Sequence, residues 1–480
     1  MLRIGPALLT MLLLTACALG PDYQRPAIDA PAAYRHDQTA ADSPIPAPLP
    51  ADELPKGQWW LLYDDPVLNE LQRRAAAGNR ELQSALARLE QARAVARISD
   101  ADLLPSLDLQ PSAQRRRTAE DLAPMGVATT NTTLNLPLDL AYELDLWGRL
   151  RRQSEAAGAD FAASAAEVEN FRLMLHGEVA RNYFALRTLD RELKLLESTL
   201  KLRRDNLQLV RRRHAGGLVD RLDVSRAESE VGQTEAEVIA LRQQRAEFEH
   251  ALALLLGQSS SDFTLPRRPA DKQDQQQDSP ALQVPAIDPG LPSALLQRRP
   301  DVAAVERRLM AASARIGAAQ ASFFPAIRLT GSTGFASDEL TNLLTSGNAI
   351  WSLGGQLAQP LFDGGRRQAG LEQAEAVYAE ELANYRHTIL QAFKEVDDAL
   401  VALKLLSQQQ QAQQRALAAA RQSEELSRRR YQAGLVSYLE VIASQRNALG
   451  LQRAVTNTAG QRLQANLALI KALGGGWRDQ

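Results

Sequence analysis

Hydrophobic residues recur at helical spacing along two stretches of the chain that contain no proline. The first lies between Leu138 and Leu265, and the second follows Pro360. Because proline disrupts a helix interior, we predict one helix from Arg149 to Ala215 and another from Arg366 to Ala433, each about 100 Å long. The first helix carries a narrow apolar stripe of coiled-coil type, made of Leu193, Leu196, Leu200, Leu207 and Val210.

Four shorter segments alternate apolar and polar residues, a pattern that predicts β-strands. They cover about 104–115, 129–146, 325–336 and 349–362. In the second segment the residues Leu134, Leu136, Leu138, Leu140, Tyr142, Leu144 and Leu146 share one face, opposite Asn135, Asp139, Glu143 and Asp145. By periodicity alone, such a sheet fits either a soluble sandwich with one wet face or a barrel with its apolar face in lipid.

The two halves of the chain are sequence repeats. A shift of 217 positions places the stretch that begins at Leu209, LVRRRHAGGLVDRLDV, on LSRRRYQAGLVSYLEV, which begins at Leu426. The same shift places Gly148 on Gly365 and Leu256 on Leu473, and upstream the shift becomes 220, with Pro105 on Pro325. Each repeat is therefore predicted to contain a helix, two strands, a long helix, a tight turn and a returning helix.

The turn in each repeat contains a glycine inside helix-forming sequence. Gly217 and Gly434 supply the positive φ angle that a tight helix end requires. Each long helix should therefore end there and return over about 35 residues, which makes the repeated stretch the end of a helical hairpin.

The amino terminus has the features of a secretory signal. One basic residue, Arg3, precedes an apolar run from Ile4 to Leu14 that is too short to span a membrane. The sequence Leu-Thr-Ala-Cys that ends at Cys17 is similar to a bacterial lipobox, and Cys17 is the only cysteine. Processing there would leave Cys17 as the first residue, carrying N-acyl and S-diacylglycerol lipid. Ala18 follows where an Asp would favour retention in the inner membrane, so the outer membrane is the expected location.

Composition excludes several classes of partner. The 55 basic and 57 acidic residues balance within 480, so no nucleic-acid partner is indicated. Five scattered histidines have no metal-ligand spacing, and neither a phosphate-binding loop nor a nucleophile motif is present. We predict no catalytic residue, no metal and no cofactor other than the lipid, and hence not an enzyme.

The predicted domains follow from these patterns. The strands cannot form a barrel alone, because four are fewer than the roughly eight of the smallest barrels, and an open edge is not tolerated in lipid. Closure must come from other subunits. The segments are a signal peptide (1–16), a lipid-anchored, extended and surface-running arm (17–66), the first repeat with its hairpin end near 216–220 (67–265), a Pro/Gln-rich linker in an equatorial region (266–300), the second repeat with its hairpin end near 433–437 (301–474), and a tail (475–480).

Several motifs together resemble one family, the TolC-type outer-membrane efflux channels, in its lipidated NodT/OprM-like branch. The motifs are the lipobox, LGPDYQRP from Leu19, LLQRRPDVAAVERRLMAA from Leu295, ASFFPAIRLTG from Ala321, LAQPLFDGGRR from Leu357 and RYQAGLVSYLEV from Arg430. The resemblance implies a mainly α fold with a transmembrane β-barrel: a homotrimer whose twelve strands form the barrel, continued by a periplasmic tunnel of helices. It also implies docking onto a periplasmic adaptor and an inner-membrane pump of RND type.

The resemblance also implies site residues at the hairpin ends. Relatives close the tunnel with an acidic ring nine residues after the second turn glycine, which here is Ala443, and with an apolar ring at Leu439. Because Ala443 departs from the pattern, Glu440 is the substitute candidate, and Tyr431 matches a tyrosine that ties neighbouring hairpins. Gly217, Leu218, Val219, Gly434, Leu435 and Val436 are the candidate adaptor-docking residues. The alternative role for the apolar side chains of these residues is local packing within the hairpin cap. Arg428, Arg429 and Arg430 are candidates for ion pairs with acidic residues of a neighbouring hairpin. The alternative is that these three arginines are charged residues on a solvent-exposed helix face.

The predicted function is a passive trimeric outer-membrane conduit that exports small toxic molecules in a tripartite pump. A lipid-anchored periplasmic coiled-coil scaffold is the rival from another class. Within the channel class, metal export and type I protein secretion stay open, because nothing in the lumen-facing sequence decides among the substrates.

Overall fold

The computed structural model describes residues 19–35, 49–50, 57–122, 126–267 and 284–477. They form two compact units, and each unit contains parts of both sequence repeats. The first unit comprises 1–27, 87–165 and 304–386, and the second comprises 28–86, 166–303 and 387–480. Cys17 lies outside the described residues.

Eight α-helices are found in the described residues. They are α1 (Pro66–Gly78), α2 (Arg80–Ala101), α3 (Arg149–Ala215), α4 (Arg221–Leu255), α5 (Pro292–Leu295), α6 (Pro300–Ala321), α7 (Arg366–Gln432) and α8 (Tyr438–Ala472). The two proline-free stretches thus contain the long helices α3 and α7, each of 67 residues, followed by α4 and α8, each of 35. Among the described helices, none is both long enough and apolar enough to cross a membrane.

The strands are β1 (Leu49–Pro50), β2 (Ser106–Leu109), β3 (Ser112–Thr118), β4 (Thr129–Leu144), β5 (Ile287–Asp288), β6 (Ala326–Ser337) and β7 (Ala349–Ala358). β1 and β5 form a short parallel pair. The others form one antiparallel sheet in the order β2-β4-β6-β7, with β3 also paired to β4. All four predicted strands are present, but the second ends at Leu144 and not at 146, and the fourth ends at Ala358 and not at 362.

The first predicted strand is divided in two by a proline. β2 and β3 pair with β4 in one register, with Leu109 opposite Leu138 and Ser112 opposite Asn135. Pro137 of β4, which lies opposite Gln110, has no N–H to donate to the Gln110 carbonyl, whereas Gln110 still donates to the carbonyl of Pro137 at 3.2 Å. The interruption is local, and the predicted strand continues beyond residue 115 to Thr118.

The strand register reproduces the sequence repeat. In the first repeat Ser106 lies opposite Ala141, and in the second Ala326 lies opposite Ala358. Adding 220 to 106 and 217 to 141 converts the first pair into the second. The repeats are joined by β4 and β6, which pair from Leu134 with Ser337 to Leu144 with Ile327.

The start of the amino-terminal arm lies against the first unit. The N–H of Leu19 donates to the carbonyl of Trp147 at 3.1 Å, and Arg152 Nε donates to the Leu19 carbonyl at 3.2 Å. Gly20, at φ +97°, crosses so close to Gly317 that a Cβ on Gly20 would lie 2.3 Å from the Gly317 Cα. Such an approach needs glycine at both positions.

The end of the predicted arm is part of the core, which corrects the expectation of a surface-running segment up to residue 66. Residues Trp59–Tyr63 form a 3-10 helix, and Trp59 and Trp60 are buried in the second unit. Trp60 packs against His176 with the ring centroids 4.3 Å apart and the ring planes tilted by 37°. Aromatic rings bury more apolar area than other side chains, so this segment is held by packing. The predicted linker likewise contains β5 and α5, while its residues 268–283 lie outside the described ranges.

His176 provides a pH-dependent contribution to stability. Its Nδ1 lies 2.7 Å from Oε1 of the buried Gln72, whose Nε2 donates to the His176 carbonyl. Burial lowers the pKa of His176 to about 4, and the charge of Arg172 adds to this effect. An unperturbed histidine has a pKa of about 6.5, so the unfolded chain binds more protons between these values. The contribution of neutral His176 to the free energy of unfolding is complete above pH 6.5 and is lost as the pH falls towards 4.

We expect acidification from pH 7.5 to 4 to cost up to about 3 kcal/mol per chain through His176. Thermal unfolding of the detergent-solubilised protein, followed by near-ultraviolet circular dichroism across this range, measures the loss. The variant His176→Gln should unfold at a lower temperature at neutral pH. It should also lack the part of the pH-dependent loss of stability that comes from protonation of His176. An equally steep pH dependence in the variant would assign the effect to other groups.

Candidate gate and docking surface at the hairpin ends

Both helical hairpins end in the same glycine turn. Gly217 has φ +69° and Gly434 has φ +74°, the positive angles that the sequence predicts. In the first turn the N–H of Leu218 donates to the Arg213 carbonyl, and that of Gly217 donates to the His214 carbonyl. The second turn has the same pair of bonds, 217 positions later. This is a Schellman cap, which satisfies the last carbonyls of α3 and α7.

The four apolar residues of the turns fall into two classes. Leu218 and Leu435 are 76% and 69% exposed. Val219 and Val436 are partly buried and pack against a hydrophobic cluster beneath the turns. The geometry therefore leaves the two leucines free for a partner, and it favours the cap-packing alternative for the two valines.

The cluster beneath the turns joins the two hairpins. Its buried members come from α3, α4, α7 and α8: Leu207, Val210, Ala227, Tyr431, Tyr438, Val441 and Ile442. Tyr431 packs on Tyr438 with 5.4 Å between ring centroids, and the Arg213 guanidinium lies 5.0 Å from the Tyr431 ring. Tyr431 thus connects the hairpins through its ring. Among the described residues, its buried hydroxyl has no hydrogen-bond partner.

Tyr438 contributes a neutral side chain to this cluster. Burial raises its pKa to about 12, and the neighbouring Tyr431 and Glu230 add to the effect. The phenol therefore stays protonated at neutral pH, so the centre of the cluster is uncharged.

A buried ion pair lies next to the cluster. Arg203 of α3 and Glu230 of α4 are 7% and 4% exposed, and Arg203 Nη2 lies 2.9 Å from Glu230 Oε2. Arg203 Nη1 also donates to the Glu230 carbonyl at 3.1 Å and to the Thr234 hydroxyl. Arg446 of α8 donates to the other Glu230 oxygen, which brings the second hairpin into the network. Removing one partner of such a pair costs about 3–5 kcal/mol.

The candidate gate residues lie on the first turns of α8. Leu439 is 50% exposed, and Ala443, four residues on, is also exposed on the same helix face. Glu440 lies 3.9 Å from Arg430 across the turn, and both side chains are about half exposed. An exposed pair at this distance contributes little to stability, so Arg430 holds Glu440 only weakly in place.

The arginine triplet before the second turn is mostly paired within its own helix. Arg428 and Arg429 both bind Glu425, the latter at 2.8 Å. Only Arg430 of the three reaches beyond α7 among the described contacts, to Glu440. The solvated-charge interpretation therefore describes Arg428 and Arg429 better than pairing across hairpins.

Sequence reasoning missed Arg203, Glu230, Arg446 and Tyr438. One signal could have revealed Arg203, because it continues the spacing of the apolar stripe, three residues after Leu200 and four before Leu207. A charged residue at a coiled-coil core position needs a buried partner. In the described part of the chain, no group of three His, Cys, Asp or Glu side chains could hold a metal ion.

Comparisons with known proteins identify the family. The outer membrane efflux protein family model matches residues 71–258 and 291–475. The chain belongs to the outer membrane efflux protein family. The solvent efflux pump outer membrane protein SrpC of Pseudomonas putida is 36% identical over 467 residues, which is 97% of each chain. Outer membrane protein OprJ of Pseudomonas aeruginosa is 36% identical over 474 residues, covering 98% of this chain and 96% of OprJ.

Solved structures of family members share the fold. The outer-membrane channel OprN matches with a TM-score of 0.87 at 30% identity, over 96% of this chain and 100% of OprN. The MtrE outer membrane channel of Neisseria gonorrhoeae, solved in an open state, matches with a TM-score of 0.82 at 28% identity, over 96% and 99%. The predicted TolC-type fold, outer-membrane location and efflux role are thus confirmed for this family member.

We expect Tyr431→Phe to leave the hairpin ends as stable as in the parent, within about 0.5 kcal/mol, because the hydroxyl makes no bond in the described structure. Tyr431→Ala removes the ring from the cluster and should cost about 3–5 kcal/mol. Amide hydrogen exchange of residues 207–231 and 427–445 measures the local opening of the hairpin ends. Equal loosening by both variants would mean that the hydroxyl, and not the ring, holds the hairpins together.

Proposed function

We propose that this family member is the outer-membrane conduit of a tripartite efflux pump, and that it acts as a homotrimer with a gate at the hairpin ends. The observation that carries the proposal is the open sheet of β2, β3, β4, β6 and β7. Three copies would supply twelve strands, with the divided first strand counted once, and would close the ring that lipid demands.

The exposed side chains of the sheet support a lipid-facing position. All of β7 is exposed, including Trp351 at 77% and Leu353 at 82%. Exposed apolar patches of this kind mark membrane or protein contacts. β7 is an edge of the described sheet, and β2 and β3 form the other edge. The β7 edge of one copy can pair with the β2 and β3 edge of the next copy.

The gate would use Leu439 and Glu440 of three copies around the tunnel axis, with Tyr431 holding the hairpins together behind them. The weak pairing of Glu440 with Arg430 supports a closed gate that opens at a small cost in free energy. Leu218 and Leu435, with the turn glycines beneath them, would dock to the periplasmic adaptor, and an inner-membrane pump would supply the energy. Val219 and Val436 would hold the docking turns in shape.

The relatives suggest the class of cargo. Their names describe solvent, toluene and antibiotic efflux pumps. We infer small apolar toxic compounds as the cargo here, passed without tight binding. No catalytic residue or metal takes part in this function.

Lipidation of Cys17 would add a second attachment to the membrane. The bonds of Leu19 to Trp147 and Arg152 support this, because they fix the chain two residues after Cys17 at the end of β4. A single acyl group gives only weak membrane binding, whereas several chains together hold firmly.

Purified protein in planar lipid bilayers tests the conduit. We expect a low basal conductance and trimers that resist heat in detergent, and Glu440→Ala should raise the conductance severalfold because a charged residue at the constriction is lost. Glu425→Ala is the matched control, since Glu425 is an exposed acid paired within its own helix. A soluble monomer without conductance would support the periplasmic scaffold instead. A closed pore in Glu440→Ala would remove Glu440 from the gate.

The variant Cys17→Ser should lose the lipid and still form trimers, because the sheet supplies its own membrane insertion. Mass spectrometry of the amino-terminal peptide detects the lipid, and light scattering in detergent measures the oligomeric state. Loss of assembled trimers in this variant would show that the strands are not sufficient for insertion.

A further inference from the structure

Three consecutive arginines lie near the end of β3, at positions 115, 116 and 117. All three side chains are exposed. In the part of the chain that the structure describes, none of the three forms an ion pair or a hydrogen bond. Their positive charge is therefore not neutralised by these residues of the same chain.

The pairing of β3 with β4 divides the three arginines between the two faces of the sheet. Residues directly opposite each other on antiparallel strands share a face, and alternate residues of one strand share a face. The pairs are Arg115 with Thr132, Arg116 with Asn131 and Arg117 with Thr130. The even-numbered residues from Leu134 to Leu144 form the apolar face of β4. Arg115 and Arg117 thus continue the apolar face, whereas Arg116 belongs to the polar face.

Arg115 and Arg117 lie towards the end of the sheet that is remote from the helices. β2 follows α2 and β6 follows α6, whereas β4 and β7 lead to α3 and α7. In the antiparallel register these four strand ends lie side by side. Both arginines lie beyond the opposite end of β6, where Ser337 pairs with Leu134. In the proposed conduit the helices are periplasmic, so the arginine end of the sheet faces the exterior.

The apolar face has the height of a membrane core. From position 142 to position 132, which lies opposite Arg115, β4 rises by about 34 Å at about 3.4 Å per residue. Strands of membrane barrels tilt by about 35–45°, which gives about 26 Å along the membrane normal, and their apolar band is about 25 Å tall. Tyr142 is an aromatic residue of the kind that marks a membrane interface. With Tyr142 at the inner boundary, Arg115 lies at the outer boundary and Arg117 just outside it.

Two arginines at this level have the chemistry to bind a lipid phosphate. A guanidinium group donates two parallel, charge-assisted hydrogen bonds to phosphate oxygens. Arg115 and Arg117 are about 7 Å apart along the strand, so both can reach one phosphate group. A phosphate monoester carries nearly two negative charges at neutral pH, which matches two guanidinium groups. The hydroxyl groups of Thr130 and Thr132, opposite the arginines, are further donors on the same face.

We propose that Arg115 and Arg117 bind a phosphate monoester on the headgroup of a glycolipid in the outer leaflet of the membrane. The inference rests on the proposed position of the sheet in the outer membrane and adds a lipid site to it. Charge complementarity and position select this occupant, because headgroup phosphates of the outer leaflet lie at the level of the two arginines. Arg116, on the polar face, takes no part.

Native mass spectrometry of the full-length protein in detergent tests the site. The probe is lipid A with two phosphate monoesters, and the reference is the same lipid after both phosphates are removed. We expect the parent to retain the phosphorylated probe. The double variant Arg115→Gln with Arg117→Gln should bind the probe at least about tenfold more weakly, because both guanidinium groups are lost. Lysine at both positions should give an intermediate affinity, since lysine keeps the charge but not the two-pronged geometry.

The matched control compares Arg116→Gln with the single variants Arg115→Gln and Arg117→Gln. Each variant removes one exposed arginine from the same strand, but only Arg116 belongs to the other face. We expect Arg116→Gln to bind the probe within about twofold of the parent and the other two to bind it more weakly. An equal loss in all three would assign the effect to net charge and overturn the site. Unchanged binding in the double variant would overturn it as well.

Further outcomes separate this inference from the proposed function. The double variant should conduct ions and resist heat as a trimer to the same extent as the parent, because neither arginine lines the conduit. A parent that conducts but binds both forms of the probe equally would overturn the lipid site and leave the conduit standing. Equal affinity for phosphatidylglycerol, a phosphate diester, would overturn the assignment to a monoester. A parent that is a soluble monomer would overturn both proposals.

Discussion

The pairing of β4 with β6 joins the two repeats through a continuous ladder of backbone hydrogen bonds. It runs over eleven residue pairs, from Leu134 with Ser337 to Leu144 with Ile327. Each repeat contributes its own pair of strands in the same register, so the joined sheet still has two open edges. The N–H and C=O groups at these edges would lack hydrogen-bond partners in lipid, so the sheet of one chain needs further strands from other copies there.

Packing and charge have different roles at the hairpin ends. The ring of Tyr431 packs in an uncharged cluster with Tyr438, whereas Arg203, Glu230 and Arg446 connect α3, α4 and α8 by buried charge. The exposed Glu440 and Arg430 are held only weakly. The hairpin ends are thus firm behind the turns and adjustable at the surface that would form the constriction.

Much of the fold could be predicted from the sequence because its signals are local. Proline-free stretches and the turn glycines Gly217 and Gly434 predicted the helical hairpins, and alternation predicted the strands. Pro137 interrupts the ladder of β4 with a strand that the alternation pattern treats as one, because the pattern registers side-chain polarity and not the missing N–H. The burial of Trp59 and Trp60 depends on contacts with a helix more than a hundred residues away, which no local pattern reports.

The candidate site was harder to predict because its chemistry is not local. Leu218 and Leu435 look like Val219 and Val436 in the sequence, and only the fold separates the exposed pair from the packed pair. The sequence around Glu230 does not indicate that Arg203 of α3 and Arg446 of α8 both bind this carboxylate. The roles of Leu439 and Glu440 in a gate rest on family resemblance, and those roles remain predictions.

Charged side chains join the two hairpins of one chain, and the sequence repeat does not reproduce these charges. Arg453 of α8 contacts Glu192 of α3 and Glu237 of α4, whereas the residues 217 positions away from these three are Ala236, Gln409 and Ala454. Burying a cation without a counter-charge is strongly unfavourable. Exchanging the hairpins of the two repeats would therefore leave Arg453 without its carboxylates, although the two repeats share their backbone register. The two repeats thus have the same backbone elements but are not interchangeable within one chain.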